Sequence, residues 1–286
     1  MSSALHSLDY IKDERFGWWN QDFLRLLKAR VLGERIATHL ADFGVGEGHW
    51  SLNLVEAFGG ILDVTGIDRH EEWCRRAADK YAKLAPQVSF HPVAADAHAT
   101  PLPSETFDIV TAQTLLMHSV SPQLLLREMI RVAKRGGLVI CAEPVNHMGW
   151  ALPFELRHYC SPDERARFYG IWARFLEIVK STRGDQDVGL RLPTLFSRCG
   201  LDDIHAWFND HVDFEPSRSF TLESLEEELQ RLWVMQALQQ AGVDDTEIAF
   251  VRSIIARVRS VAPPELDFVV HAPLHILCVG TVGTRT

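Results

Sequence analysis

From about residue 36 to 143 the chain alternates short apolar runs with stretches of helical spacing. Leu62 to Asp68, Val88 to Ala94, Phe107 to Ala112 and Leu138 to Ala142 read as strands. Between them, apolar residues recur three and four apart, which places them on one face of a helix. Leu54, Val55 and Phe58 form one such stripe, Trp73, Ala77, Tyr81 and Leu84 a second, and Leu126, Met129, Ile130 and Ala133 a third. Pro122 suits the first turn of that third helix. Strands alternating with helices imply a parallel sheet. The near-continuous apolar run 138–142 marks a central strand, whereas Pro92 weakens the strand reading of 88–94.

Past residue 145 the pattern turns helical. Ser161-Pro162-Asp163-Glu164 predicts a capping box with proline at the first helical position, and Phe168, Ile171, Trp172, Phe175 and Val179 predict the buried face of the helix it starts. The stretch from Gly189 to Cys199 reads as a helix returning to the sheet and Asp203 to Phe208 as the next strand. Thr221 is a candidate cap for a further helix with Leu225, Leu229, Leu232 and Trp233 on one side. Ile248, Val251, Ile255 and Val258 mark another, and Phe268 to Val279 reads as the last strand. Helical insertions are thus expected at about 146–185 and 215–262, forming either a lid over the strand tips or an extension of the core or a dimer interface. Residues 1–30 are expected to form a separate helical flap, since Phe16, Trp18 and Trp19 crowd aromatics beside charges. They read equally as a cover over a ligand and as packing on the core.

Composition narrows the class. A chain of 286 residues suffices for one large α/β domain with insertions. The net charge of -9 argues against gripping a nucleic-acid backbone, and no apolar run has the length of a membrane span. The start, Met1 to His6, lacks the basic and apolar regions of a secretion signal. Five cysteines without a C-x-x-C pair fit free thiols in a reducing compartment, so a cytoplasmic protein is expected. No metal-ligand spacing occurs; His271 and His275 flank Pro273 in an expected strand.

The candidate chemistry begins at Asp42-Phe43-Gly44-Val45-Gly46-Glu47-Gly48, a strand end turning through three glycines into a helix, and at Val64-Thr65-Gly66-Ile67-Asp68, a strand ending on an acid. Such a pairing makes a nucleotide cradle. The glycine spacing is G-x-G-x-G and departs from the G-x-G-x-x-G of dinucleotide sites. With Ala95-Asp96-Ala97, Pro101-Leu102-Pro103, Phe107 to Gln113 and Glu128 to Gly137, the sequence resembles the class I S-adenosylmethionine-dependent methyltransferases, in particular their small-molecule branch. The resemblance covers roughly residues 36 to 145. It implies a Rossmann-like sheet of seven strands, the last antiparallel, S-adenosylmethionine as cofactor and a small-molecule substrate. A non-catalytic cofactor-binding partner protein is the alternative, and a homodimer stays open.

The resemblance also implies roles. Asp42 would face the cofactor's ammonium; Gly44, Gly46 and Gly48 would pass beneath it; Asp68 would take the ribose hydroxyls. Asp96 would accept from the adenine amino group and the Ala97 amide would donate to the ring, with Gln113 near the methionine moiety. Arg69 stands where that family often has an apolar residue, and its guanidinium could stack on the base. Trp19 is a candidate cover for adenine or the sulfonium. His118 and His147 are candidate general bases, with Glu143 expected on the same face. Asp42 or Asp96 could instead cap a turn, and His118 could be a hydrogen-bonded structural residue. Trp150, Phe154, Tyr159, Trp172 and Phe175 suggest an aromatic, mostly apolar acceptor pocket.

Overall fold

The computed structural model describes residues 13–146, 159–210, 213–215, 226–227, 229–260, 269–271 and 274–283. Its strands are β1 (His39–Phe43), β2 (Asp63–Asp68), β3 (Ser89–Ala94), β4 (Phe107–Gln113), β5 (Ala133–Pro144), β6 (Leu201–Phe208), β7 (Asp213–Glu215), β8 (Val269–His271) and β9 (His275–Val282). The helices are α1 (Gln21–Val31), α2 (His49–Phe58), α3 (Glu71–Leu84), α4 (Pro122–Val132), α5 (Pro162–Arg183), α6 (Leu192–Arg198), α7 (Leu232–Gln240) and α8 (Asp245–Ser260). They form two compact units, one of 1–144, 187–211 and 275–286, the other of 145–186 and 212–274.

The first unit is built on a seven-stranded sheet in the order β3-β2-β1-β4-β5-β9-β6. β1, β2, β3, β4 and β5 pair in parallel, and β9 runs antiparallel between β5 and β6. The expected parallel sheet with an antiparallel last strand is therefore present. β3 is its edge, where the missing N–H of Pro92 breaks no interior ladder. β5 is longer than its apolar run, and the stretch expected as one final strand is split: 269–271 pairs with β7 and 275–282 closes the main sheet.

Two readings of the helices need revision. The expected one-sided stripe of α2 is instead burial nearly all round, with Glu56 the exposed exception. The cause is the chain before the sheet. A 3-10 turn, Asp13–Trp18, and α1 cover the outer side of α2: Asn53 Nδ2 donates to the Phe16 carbonyl at 3.3 Å, and Gln21 Nε2 donates to Asn53 Oδ1 at 3.0 Å. Trp19 belongs to this packing. It is 3% exposed, its ring centroid 5.2 Å from Trp50 and 6.0 Å from Phe23. Its ring is occupied by the core, so it is withdrawn as a cofactor residue.

In the second unit the capping box forms as expected. The Glu164 amide donates to Ser161 Oγ at 3.2 Å and the Ser161 amide to Glu164 Oε2 at 2.8 Å. Phe168, Ile171, Trp172, Phe175 and Val179 are buried with Ile248, Val251 and Ile255 of α8 in one cluster. The stripe assigned to Leu232 is wrong. α7 starts at that residue, turns Val234, Ala237 and Leu238 inward and leaves Leu232 73% exposed. Thr221, Leu225 and the side chain of Val258 lie outside the described residues. No described helix is long and apolar enough to cross a membrane.

One buried polar contact ties α2 to the sheet. Trp50 Nε1 donates to Thr111 Oγ at 2.7 Å, and that hydroxyl donates to the Ile140 carbonyl at 2.9 Å. Thr111→Val keeps the shape but orphans the indole N–H. It should lower unfolding free energy by about 2 kcal/mol, read from urea denaturation with an unchanged slope.

Candidate functional site

At the carboxyl end of β1 the chain leaves the sheet through the glycine loop. Gly44 and Val45 both donate to the Ile67 carbonyl, at 2.7 and 2.9 Å, which fastens the loop to the tip of β2. Two glycines are required by sterics. At Gly44, φ is +70° and a Cβ would stand 2.8 Å from Leu115 Cδ1; at Gly48, φ is +80° and a Cβ would stand 3.1 Å from the Tyr81 ring. The Gly46 amide donates to Asp68 Oδ2 at 3.3 Å, and the His70 amide donates to Asp68 Oδ1 at 3.0 Å. Glu47 is drawn aside by Lys80 Nζ at 2.7 Å and Arg76 at 3.2 Å on α3. Its carboxyl therefore sits below its ordinary range: burial works upward, but the two cations outweigh it.

Asp42 is 1% exposed, with no hydrogen-bond partner for its Oδ2. Burial pushes its carboxyl up to about 7; the hydroxyl and amide of Ser51 pull the other way, and Asp68 adds repulsion. On the adjacent strand, Gln113 ends β4. It is 8% exposed, and its Nε2 has no acceptor among the described residues. β1 and β4 pair with Asp42 opposite Thr111, so both groups lie near the same end of the sheet.

After Gln113 the backbone turns sharply: Thr114 has φ 51° and its amide donates to the Ala142 carbonyl at 3.0 Å. Glu143 organises the segment beyond this turn. It is wholly buried and accepts three successive amides, from Leu115 at 2.9 Å, Leu116 at 2.8 Å and Met117 at 3.1 Å. Both of its oxygens are thus engaged by backbone amides of the segment after β4. Burial raises its carboxyl to about 7 in spite of the three donors. His118 closes the short 3-10 turn Leu116–His118, its amide donating to the Leu115 carbonyl at 3.0 Å. His147, Trp150 and Phe154 lie outside the described residues.

Asp96 comes just after β3, with its side chain 73% exposed. Arg69, at the tip of β2, is exposed and its charge reaches Asp96. Ala97 is half-buried beside them. Sequence reasoning passed over His98, which bonds Asp96 at 2.8 Å and Ser119 at 2.8 Å. The Asp-x-His spacing was a local signal, but Ser119 is reached only through the fold. Among the described residues no group of three or more His, Cys, Asp or Glu could hold a metal ion.

Comparison with known proteins fits this geometry. A family model described as methyltransferase domain matches residues 41–141. Residues 41–141 are thus similar to a methyltransferase domain. The demethylmenaquinone methyltransferase of Staphylococcus aureus is 33% identical over 130 residues, which are 43% of this chain and 53% of that one. The chain thus spans about half the length of the curated relatives it matches. The YcgJ protein of Bacillus subtilis is 14% identical with a TM-score of 0.50, covering 92% of this chain and all of that one. A Haemonchus contortus phosphoethanolamine N-methyltransferase, solved with phosphomonomethylethanolamine and S-adenosylhomocysteine, is 15% identical with a TM-score of 0.51, covering 99% and 58%. These structures share the fold of the methyltransferase domain.

Asp42 gives the domain a testable pH signature. Its folded-state value of about 7 exceeds the ordinary 3.8, so the folded state holds a proton that the unfolded chain has lost. Its contribution to stability is full below about pH 4 and is lost as pH rises through about 7. Asp42→Asn should therefore stabilise the ligand-free protein by up to roughly 4 kcal/mol at pH 8 and change little at pH 4. Paired urea titrations at the two pH values check this.

Proposed function

We propose that the chain binds S-adenosylmethionine in this cradle and transfers its methyl group to a small-molecule acceptor. The observation that carries the reading is the pair of buried, unpartnered polar atoms at neighbouring strand ends. Asp42 Oδ2 is an acceptor and Gln113 Nε2 a donor, and the amino-acid end of the cofactor offers an ammonium and a carboxylate. The fit extends outward. Gly44 and Gly48 leave room for no side chain, Asp68 stands at the tip of β2 for the ribose hydroxyls, and Asp96 with the Ala97 amide stands for the adenine edge.

When bound, the cofactor supplies a methyl group already activated by its positively charged sulfur. The residues' task is then to hold and orient. Asp42 and Gln113 fix one end, Asp68 and Asp96 the other, and the segment after β4 covers the glycine loop through Leu115. His118 is the proposed base for an acceptor that must lose a proton, with His147 proposed in the same role. Arg69 is proposed to lie along the adenine face.

The helical unit is proposed to choose the acceptor. It holds a cavity of about 70 Å³ lined by Asn146, Trp172, Phe175, Val179, Gln186 and Trp233. Its aromatic walls favour an apolar or ring-bearing molecule, and the quinone named in the Staphylococcus relative has that character. A cytoplasmic setting belongs to the same reading, supported by five cysteines that are all unpaired.

The test is ligand-induced stabilisation. S-adenosylhomocysteine should raise the melting temperature by several degrees and NAD by none, since a ligand stabilises the state that binds it. Asp68→Ala should weaken calorimetric binding of S-adenosylhomocysteine at least about tenfold. A folded wild-type protein that binds neither S-adenosylhomocysteine nor S-adenosylmethionine would sink the proposal.

A further inference from the structure

We propose that His98 is a positioning residue that sets the purine specificity of the site, locking Asp96 toward the exocyclic amine through a relay from Ser119. The inference rests on the cofactor reading above and adds to it a residue which that reading does not use.

For a neutral imidazole the relay is directional, and donor–acceptor bookkeeping gives its direction. An ionised carboxylate only accepts. The ring atom His98 Nδ1, 2.8 Å from Asp96 Oδ1, must therefore carry its proton and donate. In neutral imidazole the other nitrogen is then an acceptor. His98 Nε2 lies 2.8 Å from Ser119 Oγ, so the serine hydroxyl donates to it. The serine oxygen in turn accepts from the Ser121 amide at 3.0 Å. With the neutral ring, every proton in the chain from Ser121 to Asp96 has one assignment. The His98 amide also donates to Asp96 Oδ1 at 2.9 Å.

The result is a divided carboxylate. Oδ1 takes both bonds from His98, and Oδ2 is left for a ligand. The backbone and ring donors of His98 hold the group ionised, below the usual carboxylate range. This matters because Asp96 is 73% exposed. An exposed side chain on a loop would otherwise sample several rotamers, and ordering it on binding costs free energy. Ser119 supplies the fixed end. It is 6% exposed and lies two residues past the segment that Glu143 holds. The same order of groups activates nucleophilic serines. Here the serine is buried and its oxygen already accepts an amide, so the relay works outward to Asp96.

A positioned acceptor rewards a ligand with an amine opposite it and penalises one without. The experiment compares S-adenosylhomocysteine with its 6-deamino analogue, purine replacing adenine, by calorimetric titration and displacement. Wild-type protein should prefer the amine-bearing ligand by about tenfold. In His98→Ala that preference should shrink to about twofold or less, with affinity lost for S-adenosylhomocysteine and little changed for the analogue. His98→Asn, whose amide can still donate to Asp96, should keep most of the preference, and guards against a folding defect in the alanine variant. Ser119→Ala should fall between. A preference that survives in His98→Ala, or equal weakening toward both ligands, overturns the inference while leaving cofactor binding intact. A wild-type protein that binds neither ligand overturns the cofactor reading itself.

Discussion

A single buried carboxylate organises the candidate site. Glu143 follows the apolar stretch 138–142 of a central strand, fully enclosed, with three backbone amides aimed at it. Those amides belong to a segment that has left the sheet and would have no other acceptors in the interior. An amide buried without a partner costs about 1–3 kcal/mol, so the carboxylate and the turn stabilise each other. The turn also contains Thr114 in the left-handed region, a conformation that persists only where its surroundings over-determine it. Leu115 is held against the glycine loop, which is why residue 44 has no room for a side chain. Two residues beyond the last of the three amides, Ser119 receives His98. The loops after β1, β3 and β4 thus share one anchor.

The parts legible in the sequence were those under backbone constraint. Three glycines at alternate positions and an acid at the next strand tip admit few structures, and the alternation of strands and helices left little choice of sheet. The capping box at Ser161 was legible for the same reason: both partners lie within one turn. The failures have a common cause, contacts made at long range. Trp19 is apolar enough for a ligand cover or for the core, and the outcome turned on Trp50, on a different helix. The α2 stripe was hidden because the covering chain precedes the sheet. For Glu143 nothing local shows that its partners are the amides of residues 115–117 on the neighbouring connection. His98 was missed because half of its meaning lies in Ser119.

The buried acids also show a division of labour. Asp42 and Glu143 are each pushed to about 7 by burial. Glu143 has both oxygens bonded by backbone amides, whereas Asp42 keeps an oxygen without a partner. A folded protein seldom leaves such an atom buried unless something else completes it.

The threading of the sheet has a consequence for how the molecule is made. β9 is the last strand in the chain, yet it lies between β5 and β6. After β5 and β6 have emerged during synthesis, the slot between them has to stay open until the stretch 212–274 has been made and β9 follows. The central ladders then close by joining positions as far apart as Cys141 and Cys278. Non-local pairing of this kind is slow, because the loop entropy is spent before the contacts repay it. Until it happens β5 exposes an apolar edge able to pair with another nascent chain. Assembly of this fold should thus depend on chaperone capacity more steeply than its finished stability would suggest.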